Sequence, residues 1–341
     1  MPITHADYFL ALQAYVTGPG RAHIENALSA RPAARTLSPG RDRITITLEK
    51  HGEFYHPARL VLKMPDAAIS LVLNVAATPA AQTWMASELA ALPRVAARLP
   101  AGSVPVVYGQ AALAEGAQPP LALFLADWFD GFHEFHLSID RRSGRQGLIV
   151  WDTTRPPFFL SEQQQAEVYR QTAYLLTRAY APESTEQIYP WHHAAGDFIL
   201  RVDGGTIALR LITVRQYAPT LAGDHDALDD DARLTALMVF FLNLSLRNRL
   251  DRLDGTGPAA WSAPVAVPAT VTGVFQALDA KAAKALAGIL KTYRVPELIE
   301  TLEAVAERYR LMPLETELIH ANLAPHAELL HETLRKMPWQ G

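Results

Sequence analysis

The sequence predicts an α+β protein in which an antiparallel sheet is followed by a mainly helical region. Three runs of alternating apolar and polar residues follow one another closely, at 43–48, 59–63 and 70–75. Period-two alternation is typical of strands, and the short links between these runs favour antiparallel pairing. From Ser161 onward the apolar residues recur at helical spacing, interrupted by one pair of strand-like runs.

The first third of the chain is predicted to hold two further strands and one long helix. The strands are expected at 104–109 and 121–126. Thr78 is expected to cap the helix and Pro79 to begin it, because a hydroxyl suits the cap and a proline suits the first turn. Pro93 is expected to bend or split the later part of the helix. The order is therefore three strands, one helix and two strands.

The helical region is predicted to contain one β-hairpin. Ser161-Glu-Gln-Gln164 has the pattern of a capping box and predicts the start of a helix. Asp203-Gly-Gly205 joins two strand-like runs, 197–202 and 206–214, and is a strong hairpin signal. Further on, the acidic segment 224–231 either binds a divalent cation or complements the dipole of the helix that follows it. The second interpretation is preferred because it needs no ligand.

Composition excludes several classes of function. The 341-residue chain has a formal net charge of −4, so no global charge draws it to nucleic acid or to an anionic membrane. It has no cysteine, which excludes disulfides, thiolate metal sites and thiol nucleophiles. The first residues do not form a secretory signal, and the longest apolar run, 234–246, contains Asn243 and is too short to span a bilayer. We expect a cytoplasmic protein with no nucleic-acid or membrane partner.

Three regions are predicted along the chain. Residues 1–40 form an N-terminal helical extension, 41–127 form a lobe of sheet and helix, and 128–341 form a mainly helical lobe. The two lobes are each long enough to enclose a core of their own.

Five segments carry a resemblance to a known fold family. They are, in chain order, residues 70–76, 86–88, 104–109, 123–131 and 189–205. Residues 70–76 are similar to the third strand of small-molecule kinases, and residues 86–88 to the segment that carries the helix glutamate. Residues 104–109 are similar to the fourth strand, and residues 123–131 to the fifth strand with the hinge that contacts adenine. The last falls where the catalytic loop and its hairpin belong. Over residues 41–260 the chain thus resembles the protein-kinase-like superfamily, most closely its aminoglycoside phosphotransferase and choline kinase branch, which implies a two-lobed fold.

The resemblance assigns four candidate cofactor-binding residues. Asn74 stands where the third-strand lysine pairs with ATP phosphates, and Glu88 stands at the helix glutamate. Lys63 lies on the preceding strand, from which a lysine can reach the same phosphates, and Asp127 lies in the hinge segment. No cofactor is predicted from these residues. ATP and Mg²⁺ are implied only if Lys63 replaces the third-strand lysine of that family and another residue replaces its catalytic base.

The catalytic loop of that family has a histidine, an aspartate two residues later, and an asparagine five residues after the aspartate. An ungapped match places these on His192, Ala194 and Ile199. A register that uses Asp197 as the aspartate restores the carboxylate but not the asparagine. The metal-binding aspartate that should follow the hairpin has no counterpart in residues 211–216, and no metal site is predicted.

His192, His193 and Asp197 are the candidate catalytic residues. Histidine and aspartate can form an acid–base pair, in which the carboxylate raises the pKa of the imidazole. Alternatively the histidines bond the loop backbone and Asp197 caps a turn, and burial then lowers the imidazole pKa. His133-Glu-Phe-His136 lacks the spacing of a zinc-protease motif and is expected to line or cover the cleft between the lobes.

Three functions follow from these patterns. The first is a pseudokinase-like protein that binds a ligand or regulates a partner, either a small molecule or a protein. The second is a phosphotransferase that uses Lys63 for phosphates and Asp197 or His193 as base. The third is a structural or interaction protein that kept only the scaffold, and an oligomer is compatible with all three. The first is favoured, because losing the lysine and the metal acid removes the charge neutralisation that phosphoryl transfer needs.

Overall fold

The computed structural model describes residues 4–31, 44–50, 52, 55–64, 68–113, 120–193, 196–220, 228–310 and 312–337. The chain divides into two compact units. The first comprises Met1–Ala90 and Pro105–Gly131, and the second comprises Ala91–Val104 and Phe132–Gly341. Within the described ranges, no helix has both the length and the apolar character needed to cross a membrane.

The first unit is built around a five-stranded antiparallel sheet. Its strands are β1 (Ile44–Leu48), β2 (Ala58–Lys63), β3 (Ala68–Ala76), β4 (Val107–Leu113) and β5 (Leu121–Asp127). The spatial order is β1-β2-β3-β5-β4, and each neighbouring pair is antiparallel. The predicted start of β4 at residue 104 is wrong by three residues. Pro105 has no N–H, and the N–H of Val106 donates to the Asp127 carboxylate at 2.9 Å, so neither residue donates to the backbone of β5, although the Val106 carbonyl accepts the N–H of Asp127 at 3.1 Å.

Helices cover both faces of this sheet. Helices α1 (His5–Thr17) and α2 (Gly20–Ser29) share a core with Leu73 and its neighbours on one face. Helix α3 (Pro79–Ala96) packs against Val72 and its neighbours on the other face. Alternate residues of β3 therefore serve two separate cores, as the pleat of a strand requires.

The start of α3 agrees with the sequence, but the split that was one of the two expected effects of Pro93 does not occur. Thr78 caps the helix as predicted, because its hydroxyl accepts the N–H of Ala81 at 3.2 Å. Pro93 lies inside the helix without splitting it. Only one turn follows Pro93 before α3 ends, so the missing N–H and the ring disturb little of the helix.

The second unit is mainly helical. Its helices are α4 (Glu162–Ala179), α5 (Asp230–Arg247), α6 (Ala266–Ala277), α7 (Ala280–Leu290), α8 (Val295–Arg308) and α9 (Pro313–Lys336). The predicted capping box of Ser161 and Gln164 is formed at the start of α4. Asp229 caps α5 by accepting the N–H of Ala232 at 2.8 Å, in agreement with the helix-dipole interpretation of the acidic segment. The remainder of that segment, 224–227, lies outside the described residues.

Short antiparallel strands complete the second unit. They are β6 (Phe135–Ile139), β7 (Gln146–Val150), β8 (Phe158–Phe159), β9 (Glu186–Ile188), β10 (Phe198–Asp203), β11 (Thr206–Leu211), β12 (Tyr217–Pro219), β13 (Leu250–Arg252) and β14 (Ala259–Trp261). The pairs are β6 with β7, β7 with β8, β9 with β12, β10 with β11, and β13 with β14. The hairpin β10–β11 is the predicted one, but β11 ends at Leu211, before residue 214, and one further backbone bond, from the N–H of Ile212 to the carbonyl of Asp197 at 2.8 Å, continues the pairing.

The predicted fold class is confirmed. A five-stranded antiparallel sheet with one helix after its third strand precedes a mainly helical unit that contains a β-hairpin. This is the element order of the protein-kinase-like fold.

Candidate functional site

Asp197 lies in a tight turn directly before β10, and its side chain is buried at 1% exposure. Gly196 precedes it with a φ of +68°, a conformation that glycine adopts without strain. One oxygen, Oδ1, accepts a hydrogen bond from Arg215 Nη2 at 2.8 Å. The other, Oδ2, lies 3.3 Å from Arg215 Nε and accepts the backbone N–H of His192 at 2.9 Å. The carboxylate thus has a fork of guanidinium donors and a backbone donor.

Arg215 stands between β11 and β12, in the segment where kinases of this fold carry a metal-binding aspartate. Its side chain is 17% exposed, so the pair with Asp197 is largely shielded from water. A positive side chain therefore occupies the stretch from which a negative one was expected. Sequence reasoning noted the missing carboxylate in residues 211–216 but not that Arg215 could neutralise Asp197.

His193 is buried among aromatic rings and is neutral. Its Nε2 lies 3.0 Å from Oδ1 of Asn248. The Asn248 amide nitrogen donates to the Tyr169 carbonyl and to Thr270 Oγ1, so Asn248 Oδ1 is the acceptor and His193 Nε2 carries the proton. Burial lowers the pKa of His193, although the charge of Asp251 and the bond to Asn248 oppose the shift. The rings that surround it, at centroid distances of 5.5–6.0 Å, are Phe135, Tyr169, Trp191 and Phe198.

His192 reaches a different carboxylate, that of Glu315 on α9. The His192 Nε2 lies 3.1 Å from Glu315 Oε1, and Arg247 Nη1 lies 3.0 Å from Glu315 Oε2. Burial alone would raise the pKa of Glu315, but the hydrogen bond to His192 and the charges of His192 and Arg247 outweigh it, so the pKa is lowered. Glu315 is therefore an ionised, internally paired carboxylate.

The three predicted catalytic residues thus share one loop but have three different partners. Asp197 pairs with Arg215, His193 with Asn248 and His192 with Glu315. The acid–base pair that was expected at Asp197 is not formed, because Nε2 of His193 is directed to Asn248 and its pKa is lowered, not raised. Asp197 accepts a backbone N–H of the loop, as in the alternative interpretation, but both histidines bond distant side chains and not the loop backbone.

Two of the predicted cofactor-binding residues lie in one region of the first unit. Asn74 shares its side of β3 with Val72 and is paired in register with Phe124 on β5. Glu88 on α3 is 2% exposed and accepts a hydrogen bond from the Tyr55 hydroxyl at 2.7 Å. The Tyr55 ring lies 6.1 Å from that of Phe124. Asn74 and Glu88 therefore approach the same small aromatic cluster.

The other two predicted cofactor-binding residues lie elsewhere. Lys63 ends β2 and is paired with Ala68, six residues before Asn74 on β3. At about 3.3 Å per residue, Lys63 and Asn74 are roughly 20 Å apart along the sheet. Asp127 accepts hydrogen bonds from the Tyr108 hydroxyl at 2.8 Å and pairs with Arg31, which follows α2. Asp127 is thus engaged on the α1–α2 side of the sheet, opposite α3.

His133-Glu-Phe-His136 is part of the second unit, where each histidine lies near a carboxylate. The His133 Nε2 lies 3.4 Å from Asp152 Oδ1. Buried His136 lies 3.8 Å from Asp251 Oδ1 through Nδ1 and 3.9 Å from Glu134 Oε2 through Nε2. Burial lowers the pKa of His136, but Asp251 and Glu134 raise it by more, to about 9. Within the described ranges no group of three such side chains is arranged to hold a metal ion.

A run of buried polar side chains at the end of α5 was missed at the level of sequence. Ser245, Arg247, Asn248, Arg249 and Asp251 are all less than 7% exposed. Their signal in the sequence is an alternation of polar and apolar residues, Ser-Leu-Arg-Asn-Arg-Leu-Asp, directly after an apolar helix. Buried polar groups need partners, so such a run indicates a network and not a solvated helix end.

Comparisons with known proteins add little to this topology. No protein-family model matches the chain, and no curated protein matches it. Among solved structures, the chain is similar to one from WaaP in complex with acyl carrier protein. The identity is 11%, the match covers 79% of this chain and 91% of that chain, and the TM-score is 0.36. The class of this protein, a kinase-fold protein, therefore rests on its own strand order and helices.

Proposed function

We propose that this kinase-fold protein does not carry out ordinary Mg²⁺-ATP phosphoryl transfer and serves as a pseudokinase-like ligand-binding or regulatory protein. The observation that carries the proposal is the buried ion pair between Asp197 and Arg215. Its two members come from the catalytic-loop position and from the segment that should supply the metal-binding aspartate. Asp197 and Arg215 are thus each other's ion-pair partner.

The electrostatics of this pair oppose a metal. Phosphoryl transfer depends on Mg²⁺ held by carboxylates, which neutralises charge on the phosphates. Here the Arg215 guanidinium already neutralises Asp197, and a second cation at that carboxylate would be repelled by the first. A metal ion would have to displace two hydrogen bonds inside a largely buried site.

The alternative function is a phosphotransferase that uses His193 as base and Lys63 to bind phosphates. Neither side chain is well placed for that role. His193 is 2% exposed and its Nε2 proton is used by Asn248. Lys63 lies at the end of its strand distant from Asn74 and Glu88. We propose that the scaffold derives from the aminoglycoside phosphotransferase and choline kinase branch. We also propose that the partner of this chain is a small molecule or a protein.

Turnover measurements test the proposal. ADP production from ATP and Mg²⁺ is measured with aminoglycosides and with choline as acceptors, for the wild type and for Asp197→Asn, which keeps the shape of the side chain. We expect equal background rates for both proteins. A magnesium-dependent rate that falls at least tenfold in Asp197→Asn would establish an active phosphotransferase instead. Binding of ATP without turnover supports the pseudokinase, whereas a chain that binds neither nucleotide nor small acceptor is better described as an interaction scaffold.

A further inference from the structure

Strand β1 is an edge of the sheet in the first unit, and its outer side presents backbone hydrogen-bonding groups. The N–H of Glu49, directly after β1, donates to the carbonyl of Pro57 at 3.0 Å and continues the β1–β2 register by one pair. In an antiparallel pair of strands, residues that exchange backbone hydrogen bonds alternate with residues that do not. The odd-numbered residues of β1 therefore bond β2, and the N–H and C=O groups of Ile44, Ile46 and Leu48 point away from it.

The neighbouring ladder agrees with this assignment. The N–H of His56 donates to the carbonyl of Val75 at 2.9 Å, so the even-numbered residues of β2 bond β3. The odd-numbered residues of β2 are thus left for β1, where they pair with Thr45 and Thr47. Among the residues that the structure describes, no group bonds the backbone of the three outward residues on their free side.

Strand β1 lacks the features by which proteins keep a sheet edge from pairing. Those features include charged side chains, prolines and bulges within the edge strand. The strand reads Ile-Thr-Ile-Thr-Leu, and its register with β2 is regular throughout. The opposite edge, β4, is interrupted by a bulge between Val107 and Gly109. Of the two edges of this sheet, β1 is therefore the one that is open to an added strand.

The two faces of β1 differ in chemistry. Ile44, Ile46 and Leu48 are half-buried and pack against the core that α1 and α2 share with the sheet. Thr45 and Thr47 are exposed on the other face. A strand that extends both faces must alternate apolar and hydroxyl side chains in the same way, and β1 itself has that alternation.

We propose that β1 pairs with β1 of a second copy of this chain, antiparallel about Ile46, so that the two sheets become one continuous sheet. In this register Ile46 faces the partner's Ile46, and Ile44 faces the partner's Leu48. All the outward groups of both strands are then used, in about six backbone hydrogen bonds. Because the same surface is used on both copies, the contact is closed and produces a dimer and not a fibre.

The side chains match in the same register. Apolar residues face apolar residues on one side of the sheet, and Thr45 faces the partner's Thr47 on the other. The charges that flank β1 in the sequence favour the antiparallel direction, since Asp42-Arg43 precede the strand and Glu49-Lys50 follow it. An antiparallel partner directs the first two towards the second two, acid to base, whereas a parallel partner would bring like charges together.

The contact is small and is independent of the proposed function. Five residues from each chain are fewer than the roughly 20–30 per side of a standard interface, so the dimer is expected to dissociate on dilution. The inference uses residues of the first unit alone, whereas the proposed function depends on Asp197 and Arg215 in the second. Either can fail without affecting the other.

Sedimentation velocity over a roughly hundredfold range of protein concentration tests the dimer, and the wild type is expected to pass from monomer to dimer. Thr45→Glu with Thr47→Glu places like charges opposite each other, so the dissociation constant should rise about tenfold or more. Thr45→Lys with Thr47→Glu differs at one position and places opposite charges there, so the dimer should return. Lys284→Glu, exposed on α7, changes the net charge as much as the first variant and should dimerise as the wild type does.

Three outcomes of this experiment would overturn the proposal. They are a wild type that stays monomeric at every concentration, a dimer that both threonine variants leave unchanged, and a dimer that both variants abolish. The last of these would exclude the antiparallel register, because only that register places the introduced lysine opposite the introduced glutamate.

Hydrogen exchange on the wild type keeps the proposal testable without any variant. The amides of Ile46 and Leu48 should exchange rapidly in dilute protein and become protected as the dimer forms, whereas those of Thr45 and Thr47, bonded to β2, should stay protected throughout. Slow exchange at Ile46 and Leu48 in the dilute monomer would show that the chain covers its own edge. A dimer without protection there would show that another surface pairs, and either result would contradict the inference.

Discussion

Arg215 binds the carboxylate of Asp197 through two of its nitrogens, with Nη2 at 2.8 Å from Oδ1 and Nε at 3.3 Å from Oδ2. The two residues flank the hairpin β10–β11, so their ion pair joins the loop before the hairpin to the segment after it. In a kinase of this fold a metal ion would connect these same two parts of the chain. Here the side chain of Arg215 connects them.

The Asp197–Arg215 pair should be strongly coupled. Asp197→Ala is expected to lower the free energy of unfolding by about 3 kcal/mol, because Arg215 is left largely buried without its counter-charge. The double variant Asp197→Leu, Arg215→Met should lose less, since no uncompensated charge remains. Urea unfolding of the three proteins measures both effects.

The matched control is Glu332→Ala, which breaks an exposed ion pair with Lys336 in the last turn of α9 and should leave the urea midpoint nearly unchanged. A double variant that is less stable than Asp197→Ala would show that the charges are not coupled, and the structural role given to Arg215 would have to be abandoned.

Acid should destabilise the protein through its buried neutral histidines. The pKa of His326 falls from 6.5 to about 3 on folding, so protonation favours the unfolded chain. The contribution of neutral His326 to the free energy of unfolding is complete above pH 6.5. It is lost as the pH falls towards 3, at up to about 1.4 kcal/mol per pH unit. His193, whose pKa is also lowered, acts in the same direction. His326→Gln is expected to flatten the decline between pH 6 and 4, measured by urea unfolding at each pH. His331→Gln, on the same helix but partly exposed, should keep the wild-type slope, and an unchanged slope in His326→Gln would contradict the assignment.

Alkaline pH should remove the contribution that protonated His136 makes to the free energy of unfolding. Its pKa rises from 6.5 to about 9 on folding, so its stabilisation is complete below pH 6.5 and is lost as the pH rises through 9. Unfolding free energies measured from pH 6.5 to 9.5 should therefore decline in the wild type and stay nearly level in His136→Gln. Glu134→Gln, which removes one of the two carboxylates near His136, should shift the decline to lower pH. Identical profiles for wild type and His136→Gln would show that His136 is not protonated in the folded protein.

Elements whose signal lies within their own residues could be predicted from the sequence. The strands of the first unit alternate visibly, and Asp203-Gly-Gly205 marks the hairpin without help from the rest of the chain. Strand β6 was missed although Phe135-His-Leu-Ser-Ile139 alternates apolar and polar residues, and its burial does not follow that alternation because His136 and Ser138 are buried as well. What makes that burial acceptable is remote in sequence. Asp251, which accepts the N–H of Leu137 at 2.7 Å, lies 114 positions away.

The same distinction applies to the candidate site. The loop that holds His192, His193 and Asp197 was identified from local residue types, but their partners could not be. Glu315 is 123 positions from His192 and Asn248 is 55 from His193, and nothing in the local pattern specifies either pairing. Arg215 is the exception, because it lies in the segment where a carboxylate was sought.

We propose that this kinase-fold protein lacks magnesium-dependent nucleotide chemistry because Arg215 already neutralises Asp197. The most direct test is thermal unfolding of the wild type with ATP, with Mg²⁺, and with both, using EDTA to remove the metal. We expect the midpoint with ATP and Mg²⁺ together to equal the midpoint with ATP alone. A large magnesium-dependent rise, equivalent to about 2.7 kcal/mol when ATP is present at 100 times its Kd, would contradict it.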